Sequence, residues 1–437
     1  MITSFVSSPI RTASLLFILS LVWSKLSQRS HQLIKDSKKI LKKRSKEKKR
    51  HKKLHGIDPF FGKHKWLGGA MNGDKTEIYA IPSHSNYVLK IVPLTNEISV
   101  MKVPSNGQFK YLRAILGKDR CLYGIPCFAT SVLCIDPANN TISEFGTLPE
   151  GEWKWHGGAI ASNGLIFGMP CNAENVLKIN TETREVSVIG QVPSGRNKWY
   201  GSLVGRDGCL YGMPYSARGV LRINPVTDDV RLIGSFSEGY KWHGGAVGGD
   251  GSIYAMPSHA ETVLKITPPL PTQTDTTDDN HQVLIEELYV SNVDQSVMKG
   301  NYKWGGATVD REGNVIGIPS DSTSVLKINV RTSTVTVFGN LPDDHNKWQG
   351  GVLAKDGCIY CVPCNSESVL KINPATEELS FLGNLPKGRE KWQGGFLGSD
   401  GNIYCLPETA DAILKIIPST QEVVLVDRLS APMERTV

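Results

Sequence analysis

From about residue 64 onward, apolar and polar positions follow a fixed order that recurs eight times. In the copy Lys241–Pro257, KWHGGAVGGDGSIYAMP, a lysine and an aromatic precede a variable residue and a small pair. A Gly/Asp turn and a short apolar run ending in proline come next. A polar loop then leads to VLKI or a close variant, a second turn, and a fourth run such as EVSVIG. Short apolar runs rich in Val, Ile and Tyr between Gly, Pro, Asn and Asp read as strands. No segment of this region carries a sustained helical period.

The copies align on Lys65, Lys110, Lys154, Lys198, Lys241, Lys303, Lys347 and Lys391, at steps of 45, 44, 44, 43, 62, 44 and 44 residues. Four strands in a period of about 40–45 residues is the spacing of a propeller blade. A lone four-stranded sheet cannot cover both faces, whereas eight packed around an axis can. The sequence therefore predicts an all-β fold, an eight-bladed β-propeller of four-stranded antiparallel blades; the alternative is seven blades with one copy displaced. Gly-Gly suits the innermost strand, where backbones converge. Asp207-Gly208, Asp250-Gly251, Asp356-Gly357 and Asp400-Gly401 suit tight hairpins. The proline closes the second strand where a missing N–H costs little.

The DGxIYxxP run followed by VLKI resembles a blade type found in the propeller groups that include streptogramin lyases, gluconolactonases and NHL-type binding domains. It is unlike kelch repeats, in which Gly-Gly precedes the tryptophan, and it lacks the Gly-His and Trp-Asp marks of WD repeats. The resemblance covers residues 65–427. It implies the fold; a shared blade type does not carry a reaction.

Charge divides the chain. Residues 1–64 hold 16 Lys/Arg and 3 Asp/Glu, while the remainder holds 33 and 39. The basic balance thus belongs to a leader, expected to be disordered or helical, and not to the propeller, placed at 64–430. Residues 1–24 form a hydrophobic segment of signal or signal-anchor type, short for a membrane span; an organelle transit peptide or a stub on a soluble protein also fits. Residues 25–60 read as a basic linker. Its Lys38, Lys39, Lys42, Lys43, Arg44, Lys48, Lys49 and Arg50 form a candidate lipid- or polyanion-binding arm. Without interleaved aromatics the arm shows no specific nucleic-acid readout. Membrane association through the leader is the expected location, with organelle, nuclear or cytoplasmic alternatives. Residues 267–280, TPPLPTQTDTTDDN, read as a flexible acidic Pro/Thr insertion in blade five.

Nine cysteines recur at shared blade positions, and period-two alternation sets Cys361 on the opposite face from Cys358 and Cys364; they read as packing residues, not a metal site. Propeller geometry brings the lysines and the residues after each proline to one face. Lys65, Lys154, Lys198, Lys241, Lys303, Lys347 and Lys391, with Lys110, then form either an anion-attracting ring or a set of stems packed on aromatics. Where the frame is constant, the variable residue of KWxGG is where function is written: Leu67, Leu112, His156, Tyr200, His243, Gly305, Gln349 and Gln393. His156 and His243 are candidate ligand-binding groups. Blade two departs most, with Tyr111 for Trp, Arg113-Ala114 for Gly-Gly and Cys134 for the VLKI lysine. Arg113 either binds a carboxylate or phosphate or marks an irregular ring.

No catalytic constellation can be placed. The leading expectation is a non-catalytic scaffold presenting one face to a protein partner or an anionic ligand, with no metal or cofactor. A metal-dependent lactonase or lyase, with a divalent cation among His84, His156, His243, His259 and Glu408, is the first alternative. A lipid- or polyanion-binding scaffold led by the basic arm is the second.

Overall fold

The computed structural model describes residues 60–270 and 283–426. The chain divides into two units, Met1–Phe61 and Gly62–Val437. Of the first, only Phe60 and Phe61 are described. The hydrophobic segment, the basic arm and residues 271–282 of the insertion region lie outside the described residues, so those expectations are not addressed.

The second unit is the expected eight-bladed propeller: eight sheets, each of four antiparallel strands in sequence order. Blade one comprises Trp66–Met71, Ile78–Pro82, Tyr87–Val92 and Glu97–Lys102. Blade eight ends with its own fourth strand, Glu422–Val426. In blade five, Leu284–Leu288 supplies the fourth strand beyond the insertion. Second strands such as Ile78–Pro82 and Ile359–Pro363 are buried at every position, because neighbouring blades cover both faces. Outer strands such as Val186–Ile189 are partly exposed.

The core is a ring of clusters, each straddling two blades. Trp155 of blade three packs with Tyr123, Ile125 and Leu177, and Trp392 of blade eight with Tyr360, Val362 and Leu414. Each indole also donates across its own blade, as in Trp155 Nε1 to Asn175 O at 2.9 Å and Trp392 Nε1 to Ala412 O at 2.8 Å. All nine cysteines are buried and unbridged, in keeping with packing roles.

Lysine joins blade to blade. Its backbone N–H donates to the carbonyl of the residue after the proline in the preceding blade: Lys110 N to Ser83 O at 3.2 Å, Lys303 N to Ser258 O at 3.0 Å. Its own carbonyl accepts from the corresponding residue of its blade, as in Cys127 N to Lys110 O at 2.8 Å. Lys65 N to Glu408 O, 3.1 Å, closes the circuit between blades eight and one.

Blade two's missing VLKI lysine is compensated from blade three. In five other blades that lysine reaches a residue in the last turn of the next blade: Lys178 to Asp228, Lys265 to Ser333, Lys327 to Glu377, Lys371 to Gln421, Lys415 to Asn96. In blade two, Arg184 reaches back instead, donating to Cys134 Sγ and to Asp119 Oδ2 at 3.0 Å, with its guanidinium 5.3 Å from the Tyr123 ring. The long step between blades five and six has a structural use. Val290 bridges to Val335 of blade six, and a single 3₁₀ turn, Gln295–Met298, buries Met298 against that blade.

Two stability outcomes follow from these contacts. Lys110→Met strips carbonyls of a charged donor in a buried junction and lowers unfolding free energy by about 2–4 kcal/mol, read from thermal or denaturant melts; an unshifted melt would refute the brace. Cys134→Lys places a second cation beside Arg184, and Arg184→Asn leaves Asp119 without its cation. Each single change destabilises, and the double variant, which rebuilds the arrangement of five other blades, regains most of the loss in a double-mutant cycle.

Candidate functional site

Every innermost strand carries a bulge. In blade three the pairing jumps from Trp155↔Pro170 to Gly158↔Gly168, and in blade two from Tyr111↔Pro126 to Ala114↔Gly124. The residue just before the second member of the small pair takes the left-handed conformation: Gly68, Gly157, Gly201, Gly244, Gly350 and Gly394 have φ between +66° and +85°, and Gly306 is at +153°. A Cβ built on Gly350 meets nothing, while one on Gly306 or Gly394 comes within 3.7–3.9 Å of the corresponding glycine Cα next door. These positions line the axis.

Arg113 occupies this position in blade two, at φ +63°. An L-residue there costs about 1–2 kcal/mol relative to ordinary backbone. Its side chain lies along the ring: Cδ is 3.2 Å from where a Gly157 Cβ would stand, and Nη1 3.8 Å from that of Gly201. It has open surface toward the axis although protein surrounds it, and desolvation at that depth lowers its pKa. Among the described residues it has no hydrogen bond and no ion pair.

The variable residues form the next tier. Leu67 and Leu112 are buried beside Cys127, Phe109, Phe128 and Trp153. His156 stacks on Tyr200 at 4.1 Å and 4°, Tyr200 on Tyr215 at 4.5 Å, and His243 meets Tyr200 edge-on at 5.1 Å. His156 and His243 thus flank Tyr200 in ring order. The Nδ1 atoms of both histidines are buried without partners, as are Ser202 Oγ and Gln393 Oε1 on other inner strands. Burial, then the Arg113 charge, pulls His156 well below the usual imidazole range; the same two causes bring His243 down to about 4. Both are neutral at pH 7.

A cavity of about 1090 Å³ opens beside this tier, over blades four to seven. Two departures from the repeat make it. Gly305 brings no side chain to the variable position, and the inserted segment carrying Ser296, Lys299 and Tyr302 walls one side. Tyr215 and Tyr240, stacked at 4.4 Å, form another wall. Asp321, Asn346 and Gln349 supply polar groups; Gln349 Nε2 donates to Asn346 Oδ1 at 2.8 Å.

The eight lysines are turned into the wall rather than toward the mouth. They are 2–5% exposed. Lys110 Nζ donates to Ser83 O, Ser85 O and Gly107 O at 2.7–3.2 Å, and Lys391 Nζ to Asn365 O and Ser366 O at 3.1 and 2.6 Å. The Lys65, Lys154, Lys198, Lys347 and Lys391 ammoniums also lie 5.6–6.0 Å from the ring of the following tryptophan. Lys241 and Lys303 likewise bond carbonyls, and burial lowers both to about 8. The packing reading describes them; a ring of exposed charge does not.

Of the residues weighed for a metal, Glu408 lies at the junction of blades eight and one, apart from the His156–His243 tier. His64 Nδ1 is 2.8 Å from Glu408 Oε1 and 3.8 Å from Glu390 Oε2. These three are the group whose ligand atoms lie close enough to hold a cation among the described residues. Burial pushes Glu408 up to about 7, against the pull of its His64 hydrogen bond. Neither His64 nor Glu390 stands out in the repeat motif; both precede its lysine, and aligning one residue earlier would have found them.

No family model and no curated protein matches the chain. Solved structures resemble it in fold. A streptogramin B lyase is 14% identical with a TM-score of 0.53, over 70% of this chain and 92% of that one. A virginiamycin B lyase from Staphylococcus aureus gives 14%, 0.53, 70% and 94%. The periplasmic gluconolactonase of Pseudomonas aeruginosa gives 11% and 0.46, over 70% and 94%. At such identities the likeness is one of architecture.

The neutral histidines set a pH dependence. A histidine whose folded pKa is lowered contributes stability that is intact above the unfolded value near 6.5 and is lost as pH falls toward the folded one. For His243 that window runs from about 6.5 to about 4. Glu408, raised to about 7, acts oppositely between about 4.5 and 7. Melting curves from pH 7 to 4.5 should therefore fall less steeply in His243→Gln than in the native chain, by on the order of 2 kcal/mol at the acid end. Parallel curves would contradict the assignment.

Proposed function

We propose that this propeller is a binding protein for a small polar, ring-bearing molecule, held in the cavity over blades four to seven. The observation that carries the reading is convergence. In an otherwise regular array, Gly305, the inserted segment around Ser296–Tyr302 and the Tyr215–Tyr240 stack all fall on one concavity. A cavity of this size suits a small organic ligand. Stacked tyrosines offer a flat apolar wall for a ring, and Asp321, Asn346 and Gln349 offer hydrogen bonds at its edge. The reading keeps the expected binding role and narrows it from a protein-presenting face to a ligand pocket. No step of chemistry is assigned to the cavity.

Gly305→Gln tests it. Glutamine is the residue of blades seven and eight, Gly305 is not left-handed, and its Cβ would meet Ser320 Cβ at an ordinary 3.5 Å. The variant should fold like the native chain with the cavity filled. In a thermal-shift panel of sugars, nucleosides and aromatic acids, compounds that stabilise the native chain should lose their effect on Gly305→Gln by roughly tenfold or more in affinity. Equal responses in both would remove the cavity from the account.

A further inference from the structure

We infer that Arg113 forms a second, axial site that takes a compact oxyanion, a phosphate or carboxylate group, inside the glycine ring. Three independent observations carry it.

The first is position. Of the eight equivalent axial positions, seven are glycine and one is arginine, so this ring carries a single side chain of any kind. Glycine would satisfy the backbone at blade two as it does elsewhere. The arginine is therefore not there for the bulge, and it keeps a left-handed conformation that disfavours it.

The second is charge. Arg113 is exposed toward the axial space, so its guanidinium is open to whatever enters there. Arg184 and Arg222 of this chain each have a carboxylate partner, at 3.0 Å from Asp119 and 3.2 Å from Asp207. Arg113 has no such partner among the described residues. Its field instead reaches two histidines, adding to the burial that keeps both neutral. An oxyanion with two coplanar oxygens matches the fork of an arginine in both charge and shape.

The third is the surrounding set of unmet hydrogen-bonding atoms. His156 Nδ1 and His243 Nδ1, on the inner strands of blades three and five, are buried without partners. Neutral imidazoles can each turn a donor toward a bound anion. Buried polar atoms in a folded chain are otherwise almost always paired. The remaining axial positions present only glycine backbone, which leaves the space around the guanidinium free of other side chains.

The axial site stands apart from the cavity in its chemistry, although His243 and Tyr200 border both. A ligand carrying a ring and an acidic group could engage the two together, and that linkage rests on the proposed cavity; the anion site does not.

The test is calorimetric titration of the full chain with inorganic phosphate and with citrate at low ionic strength, on the native protein, Arg113→Gly, Arg113→Lys and Gly305→Gln. Glycine restores the residue of the other seven blades, so Arg113→Gly should melt at or above the native temperature. It should lose phosphate and citrate affinity by roughly ten- to a hundredfold, while Arg113→Lys keeps part of it and Gly305→Gln keeps all. The basic stretch Lys38–Arg50 is common to all four proteins, so a contribution from it cancels. Anion binding unchanged in Arg113→Gly, or no binding to the native protein at millimolar anion, overturns the inference. Loss in Gly305→Gln with retention in Arg113→Gly would place the anion in the cavity and equally refute the axial site.

Discussion

The structure depends on a buried lysine that has given up its solvent. At each junction the lysine backbone pairs with two successive blades, and its ammonium is spent on carbonyls that end the neighbouring loops. Those carbonyls belong to loops between strands, which find no partner in any sheet ladder and would otherwise face a desolvated wall. A charged donor able to serve two or three acceptors at once answers that need better than water or a neutral group. The tryptophan that follows fills the inter-blade space, so polar and apolar cement come from adjacent residues. With eight junctions fixed in this way, the top of each blade is held independently of what the variable residues do.

That independence explains where variation is tolerated. The residue after the tryptophan ranges from glycine to tyrosine without disturbing the strand that carries it. On one side of the ring it becomes apolar and joins Phe109, Phe128 and Trp153; on the other it becomes aromatic, amide or nothing. The cavity and the axial arginine are both departures from the repeat at sites the junction does not need.

The architecture was legible because the repeat spells local backbone. Gly-Gly, Asp-Gly and the strand-ending proline each fix a conformation within a few residues, and the same spelling eight times leaves little freedom in the fold. The lysines were placed correctly on one face, but sequence could not tell whether their charge was exposed or spent. That is decided by carbonyls of the preceding blade, about 25 residues away. Cys134 read as an irregularity because its compensation, Arg184, comes from the next blade, 50 residues on. Arg113 was singled out by its departure from glycine, but its lack of a partner is a three-dimensional fact. The cavity left only indirect traces: a glycine at a variable position and a 62-residue step.

The contact from Lys65 to Glu408 is the same as the seven internal ones in pattern and length. Among the described residues, no strand is borrowed from one end of the array to fasten the other. The propeller therefore has no privileged seam. In topological terms the order of the blades is cyclic, and the chain could be cut at another inter-blade loop and rejoined across this one with every junction preserved. What such a rotation cannot do is shuffle blades. The reversed Arg184–Cys134 link ties the third blade to the second, so the repeats resemble one another but are no longer interchangeable.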